Sequence, residues 1–194
     1  MPDASLRIGL LGGSFNPAHE GHLHVSLEAM KRLKLDYVWW LVSPQNPLKP
    51  SKGMAAYEKR FASALEITKG HHRIKVSDFE KQHGLHYTHA TLSAIKAKHQ
   101  NIKFVWLMGA DNLAGFHRWQ HWKDIIDIAP VAIFDRAPFS HTALRKKAAI
   151  ALKNRRLPEY DVASLAKRKG KWVYVLMRRH AASSTALRAS GKTL

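Results

Sequence analysis

The chain has 194 residues, 45% of them hydrophobic, which is enough to bury a full core in one domain spanning 1–194. It contains no cysteine, which excludes disulfides, thiolate metal sites and a catalytic cysteine. A formal net charge of +18 calls for anionic partners: nucleic acid, or nucleotides drawn to a basic solvated surface.

The opening apolar run is short and ends at Gly12-Gly13, so it does not read as a secretory signal, and no segment approaches the length of a membrane span. A soluble, cytoplasmic enzyme without membrane partners is the expectation. In chain order, Arg7–Leu11 reads as a buried strand. A helix follows from Gly21 to about Leu33, with Leu23, Leu27 and Met30 on one face. Tyr37–Val42 is aromatic and β-branched, hence a strand, and Pro44, Pro47 and Pro50 force an extended loop after it. Tyr57, Phe61 and Leu65 mark a helix from roughly Met54 to Thr68.

Arg73–Val76 is a short strand candidate. Thr88, a candidate cap, opens a helix to about Lys98 with Leu92 and Ile95 inward. Lys103–Met108 is a buried strand followed by a tight turn at Gly109-Ala110-Asp111. Trp119–Ile128 reads as helix, Val131–Phe134 and Trp172–Leu176 as strands, and Ser183-Ser184-Thr185 as the cap of a terminal helix. The segment from Pro138 to Gly170 is the least regular and carries the densest basic run, Arg145 to Lys171, with no nucleic-acid-binding motif beside it. Alternating strands and helices predict an α/β fold, a Rossmann-like doubly wound, mainly parallel sheet with helices on both faces. Ligands in such folds bind beyond the carboxyl ends of the strands. Three segments should converge there: the one after the first strand, Pro44–Pro50, and Gly109–Asp111.

The first of these, Gly12-Gly13-Ser14-Phe15-Asn16-Pro17-Ala18-His19-Glu20-Gly21-His22, carries the chemistry. A glycine-rich turn entering a helix exposes backbone N–H groups beside a partial positive charge, an arrangement suited to phosphate. Two imidazoles there can donate to an oxyanion. The spacing does not match the dinucleotide Gly-x-Gly-x-x-Gly. The terminal Gly191-Lys192-Thr193 is not a P-loop, since Ala186 stands in place of its first glycine. His19 and His22 could instead form a metal pair, but no third ligand follows at a known spacing. His117 and His121, four apart, read as a solvated helix face.

Taken whole, this segment resembles the (T/H)xGH nucleotidyltransferase superfamily and, within it, bacterial nicotinate-nucleotide adenylyltransferases. Further segments carry the resemblance in order along the chain: Pro44-Gln45-Asn46-Pro47-Leu48-Lys49, Tyr87-Thr88, Gly109-Ala110-Asp111-Asn112-Leu113, Phe116 with Trp119, and Ser183-Ser184-Thr185-Ala186-Leu187-Arg188. Asn16 stands where many members have aspartate. Members usually continue beyond the serine–threonine–arginine segment, so a shorter adenine-facing wall, or one completed by another chain, is expected.

The resemblance implies transfer of AMP from ATP to nicotinate mononucleotide, giving deamido-NAD and pyrophosphate in NAD biosynthesis, with Mg²⁺ held mainly by the substrate phosphates and no protein metal site. It places His19 and His22 on the triphosphate, with His22 at the reacting α-phosphate. Gly13, Ser14, Phe15 and Gly21 offer close backbone approach and donors, and Lys49, Ser184, Thr185 and Arg188 meet phosphate or ATP. Asp111 would accept from a ribose hydroxyl, or merely cap a helix. Asn46, Thr88 and Trp119 would hold the pyridine nucleotide, Thr88 receiving the ring carboxylate and Trp119 stacking on the ring. Trp39, Trp40 and Trp106 are assigned to the core. Three alternatives stay open: transfer to nicotinamide mononucleotide or phosphopantetheine, a basic nucleic-acid-binding protein with a vestigial nucleotide site, and an ATP sensor without turnover. Oligomeric state is not written in the chain, and nucleic-acid binding is expected to be at most non-specific.

Overall fold

The central strands of this chain are almost wholly apolar because both of their faces are covered. In the computed structural model, which describes residues 5–45, 53–135 and 141–177, these are β1 (Arg7–Gly13), β2 (Tyr37–Val42), β3 (Ile74–Ser77), β4 (Lys103–Gly109), β5 (Val131–Phe134), β6 (Arg156–Leu157) and β7 (Trp172–Val175). They form one sheet in the order β3-β2-β1-β4-β5-β7-β6, and every pairing is parallel. Alternate residues serve opposite faces. Phe104, Trp106 and Met108 join one core with Leu92, Ile95, Leu113 and Ile125, whereas Val105 and Leu107 join the other with Leu23, Ala29, Leu33 and Ala64. The expected doubly wound α/β sheet is therefore present. Its order reverses between β1 and β4, which makes their carboxyl ends a topological switch point.

The helices depart from the sequence reading in register more than in existence. α1 (Glu20–Leu33) buries Leu23, Ser26, Ala29 and Leu33, and leaves Leu27 41% exposed. α2 (Tyr57–Thr68) starts three residues after Met54 and buries Arg60, Ala64 and Thr68, while Leu65 is 49% exposed. A short α3 (Phe79–Gln82) precedes α4 (Thr88–Lys98), whose cap is Tyr87 rather than Thr88. Gly109–Asp111 is not a tight turn: Gly109 ends β4 and α5 (Ala110–Gly115) begins at the next residue. The expected Trp119–Ile128 helix is interrupted. A 3₁₀ turn at Phe116–Arg118 leads into extended Trp119, and α6 (Trp122–Ile128) begins only after His121, at a positive φ of 49°. His117 and His121 thus share no helix face.

The basic 145–171 segment folds as α7 (Lys147–Ala151), 3₁₀ turns at Lys153–Arg155 and Glu159–Lys167, and β6. Some of its charge is structural. Arg155 pairs with Asp127 at 2.9 Å, and the Arg156 guanidinium lies over the Trp172 ring.

Candidate active site

The loop after β1 is held by its own side chains. His19 is the N-cap of α1, and its Nδ1 accepts from the Gly21 N–H at 3.0 Å. His22, three residues on, accepts in return from the His19 N–H through its own Nδ1 at 3.2 Å. This is a reciprocal capping box built from two imidazoles. It accounts for the three-residue spacing of the pair, because only the cap and the third helical position can exchange such bonds. An Nδ1 that accepts carries no proton, so each neutral ring is the Nε2–H tautomer, with its donor on the other nitrogen. The rings lie 3.8 Å apart between centroids. Phe15, at a left-handed φ of 46°, turns its ring under His22 (4.8 Å) and stacks on Trp40 (4.9 Å). The Trp40 indole donates to Ser26 Oγ on α1 at 2.8 Å, which ties this aromatic floor to the helix.

A second set of bonds fixes the loop to the far side of the site. Arg60 is 1% exposed, its guanidinium lies over the Tyr57 ring, and among the described residues its hydrogen bonds go to carbonyls. Nη1 donates to Ser14 O (2.6 Å) and Ser43 O (2.8 Å), Nη2 to Pro44 O (2.9 Å) and Nε to Ala55 O (3.0 Å). Burial lowers its pKa from the ordinary arginine value. Asn16 acts in parallel. Its amide donates to Gly53 O, its carbonyl accepts from Ala55 N, and a carboxylate could not make the first of these bonds.

At the switch point one cavity is lined by Gly12, Gly13 and Ser14 from the β1 end, Ser43 after β2, Glu80, His86, Tyr87 and Thr88, and Trp106, Asn112, Arg118, Trp119 and Gln120. The predicted Gly13, Ser14, Thr88 and Trp119 therefore meet in one place. Among the described residues, Ser14 Oγ and one carboxylate oxygen of Asp111 at the start of α5 are buried without a hydrogen-bond partner. His19, His22, Phe15, Gly21 and Asp111 do not line this cavity; the first four form the adjoining loop and helix start. Asn46, Lys49, Ser184, Thr185 and Arg188 lie outside the described residues.

Trp106 joins the core as expected, and it also lines the cavity; among the described residues its indole nitrogen has no partner. A Cβ on Gly12 would stand 2.3 Å from Trp106 Cη2, so only glycine permits this wall. Trp119 packs edge-on against Trp106 and Phe116. Arg60, Glu80 and Arg118 carry no signal in the sequence, and Trp106 carries only that of a core residue. Arg60 lies on the buried face of α2, one residue off the apolar stripe. Among the described residues no group of three His, Cys, Asp or Glu could hold a metal ion, and no helix is long and apolar enough to cross a membrane.

Residues 10–190 match the cytidylyltransferase-like family model. A probable nicotinate-nucleotide adenylyltransferase of Bradyrhizobium sp. strain BTAi1 is 48% identical over 184 residues, covering 94% of this chain and 95% of the relative. One of Gluconobacter oxydans is 45% identical over 188 residues, 96% of each chain. Among solved structures, a Plasmodium falciparum nicotinic acid mononucleotide adenylyltransferase complexed with NaAD superposes with a TM-score of 0.70. It is 18% identical, over 95% of this chain and 83% of that one, a likeness of fold. With a relative nearly half identical over almost its whole length, the chain belongs to the cytidylyltransferase-like nucleotidyltransferases and, within them, to the nicotinate-nucleotide adenylyltransferase family.

Proposed function

We propose that the chain transfers AMP from ATP to nicotinate mononucleotide. A phosphate oxygen of the mononucleotide attacks the α-phosphorus of ATP, the α–β anhydride bond breaks, and pyrophosphate leaves with deamido-NAD as the other product. The acceptor oxygen is already an anion, so neither a strong general base nor a covalent intermediate is needed. The protein must align two anions that repel each other and stabilise charge on the transferring phosphoryl group.

The observation that carries this reading is the convergence in one cavity of the Gly12-Gly13-Ser14 turn with Thr88 and Trp119. A turn suited to phosphate and the aromatic ring of Trp119 then line the same cavity at the switch point. His19 and His22 are held by their capping bonds beside the turn, where their Nε2–H groups suit the triphosphate, His22 at the α-phosphate. Asp111 would take a ribose hydroxyl. Lys49, Ser184, Thr185 and Arg188 are assigned to phosphate and ATP, and Asn46 to the pyridine nucleotide, on their sequence match alone. The residues of the turn that line the cavity, Gly12, Gly13 and Ser14, offer a hydroxyl and no carboxylate, which suits a Mg²⁺ carried by the triphosphate itself. When bound, that ion neutralises charge on the phosphates.

An acceptor panel tests the proposal: ATP- and Mg²⁺-dependent pyrophosphate release with nicotinate mononucleotide, nicotinamide mononucleotide and phosphopantetheine. The acid nucleotide should give the highest kcat/KM. Faster turnover of either of the others would reassign the substrate.

A further inference from the structure

The cavity contains a carboxyl group that phosphate and ring binding leave unused. Glu80 on α3 lines it together with Tyr87 and Thr88, yet only 6% of the residue is exposed. Thr91 Oγ1 donates to Glu80 Oε1 at 3.0 Å, and the Ser43 side chain donates to the carboxylate as well. None of the ion pairs among the described residues includes it.

The charged and titratable groups around it are few. On α2, Tyr57 feels its charge, while Arg60 reaches Ser43 but donates only to carbonyls. His86 and Tyr87 precede α4, and His89 on α4 packs its ring on His121. Arg118 stands across the cavity. On Glu80's own segment are Asp78 and Lys81, the latter paired with Glu58. Burial outweighs the two hydrogen bonds and pushes the Glu80 pKa up to about 7.

A carboxylate-bearing ligand would put a second negative charge into this space. Of two carboxylates sharing one site, with one of them buried as Glu80 is, one tends to keep a proton. We infer that Glu80 determines how this cavity accepts the acid form of the pyridine nucleotide: it stays a neutral acid in the complex, so that a proton is taken up along with the ring carboxylate. The inference rests on the proposed substrate. The amide nucleotide brings no ring charge and has no need of that proton. Above pH 7, affinity for the acid should therefore fall by about tenfold per pH unit while affinity for the amide does not follow, and preference for the acid narrows.

Calorimetric titration of the full chain, with a non-hydrolysable ATP analogue present, tests this. Each nucleotide is titrated at pH 7.0 to 8.5 in two buffers of different ionisation heat, into the parent and into Glu80→Gln. Glutamine keeps an acceptor for Thr91 without the charge. The nucleotide phosphate is common to both ligands and both proteins, so its own titration cancels. At pH 8 the acid nucleotide should bind the parent with close to one more proton taken up than E80Q, and roughly tenfold more weakly. Equal proton uptake by the two proteins would overturn the inference. So would a parent whose affinities for acid and amide change with pH in parallel, a comparison that stands whether or not the variant folds. Binding of the amide with none of the acid would instead remove the substrate assignment, and this inference with it.

Discussion

Replacing Arg60 by methionine removes one side chain and strands four carbonyls. Ser14 O belongs to the loop after β1, Ser43 O and Pro44 O to the segment after β2, and Ala55 O to the entrance of α2. Each bond contributes about 1 kcal/mol net, and an acceptor left buried without a partner costs about 1–3 kcal/mol. These carbonyls lie in loops that can turn toward water, so the expected loss is nearer the lower sum, about 3–4 kcal/mol. In a chain of this size that corresponds to a fall in Tm of roughly 6–16 °C. The functional loss has a different shape. Arg60 joins the two walls of the cavity, and a displacement of about 1 Å between reacting groups can lower turnover by about 10²-fold. KM should therefore rise for ATP and for the pyridine nucleotide together, with kcat falling further. Lysine, with three donors on one atom, can serve at most three of the four acceptors and should rescue in part. Thermal melts with steady-state kinetics on R60M and R60K decide the matter. If R60M melts within about 2 °C of the parent with both KM values unchanged, the clamp has no role and the reasoning fails.

Three further substitutions probe separate parts of the site. His22→Ala removes both a capping partner and the imidazole assigned to the α-phosphate, so kcat should drop by about 10²-fold or more while ATP affinity changes far less; an equal loss in both would make His22 a binding group only. Gly12→Ala places a methyl 2.3 Å from the Trp106 ring, and should cost about 1–3 kcal/mol in denaturant unfolding and weaken pyridine nucleotide binding. Glu80 gives stability a pH dependence of known sign. Its native pKa is raised from 4.5 to about 7, so between those values the native state holds the proton that the unfolded chain has lost. Stability from this group is therefore fully present below pH 4.5 and declines as pH rises to 7, by up to about 3 kcal/mol. E80Q should flatten that part of the profile, and an unchanged slope between pH 5 and 7 would show that another group is responsible.

The strands could be read from the sequence because a parallel sheet covered on both faces needs unbroken apolar runs, and Tyr37–Val42 and Val131–Phe134 are present as expected. The turn between β1 and α1 is legible because glycines, a helix start and histidines lie together within eleven residues. Helix faces were harder. In α1 and α2 the apolar period is real: Leu23 is buried and Met30, Tyr57 and Phe61 pack against the core, but Leu27 and Leu65 are exposed because the buried face is centred to one side of each stripe. Periodicity gives the spacing of a face but not its angle, which is set by what packs against it. Trp119 was found and its helix was not, because the 3₁₀ turn at Phe116–Arg118 and the left-handed His121 have no marker in composition.

Arg60 and Glu80 carry no signal in the sequence, and Trp106 carries only that of a core residue, for one shared physical reason. The place of each is set by partners distant in the chain. Arg60 is buried because Ser14, 46 residues away, and Ser43, 17 away, present carbonyls to it. Glu80 is buried because Thr91 and Ser43 donate to it. Trp106 becomes a cavity wall because its register partner is Leu10, which leaves side-chain-free Gly12 beneath its ring. All three depend on Ser43 or on the β1–β4 pairing, the place where the sheet order reverses. The switch point therefore does more than leave a crevice. It brings unrelated loops close enough to hold an arginine, a carboxyl and an indole out of water, and such burial makes a group's charge and position responsive to the ligand that arrives.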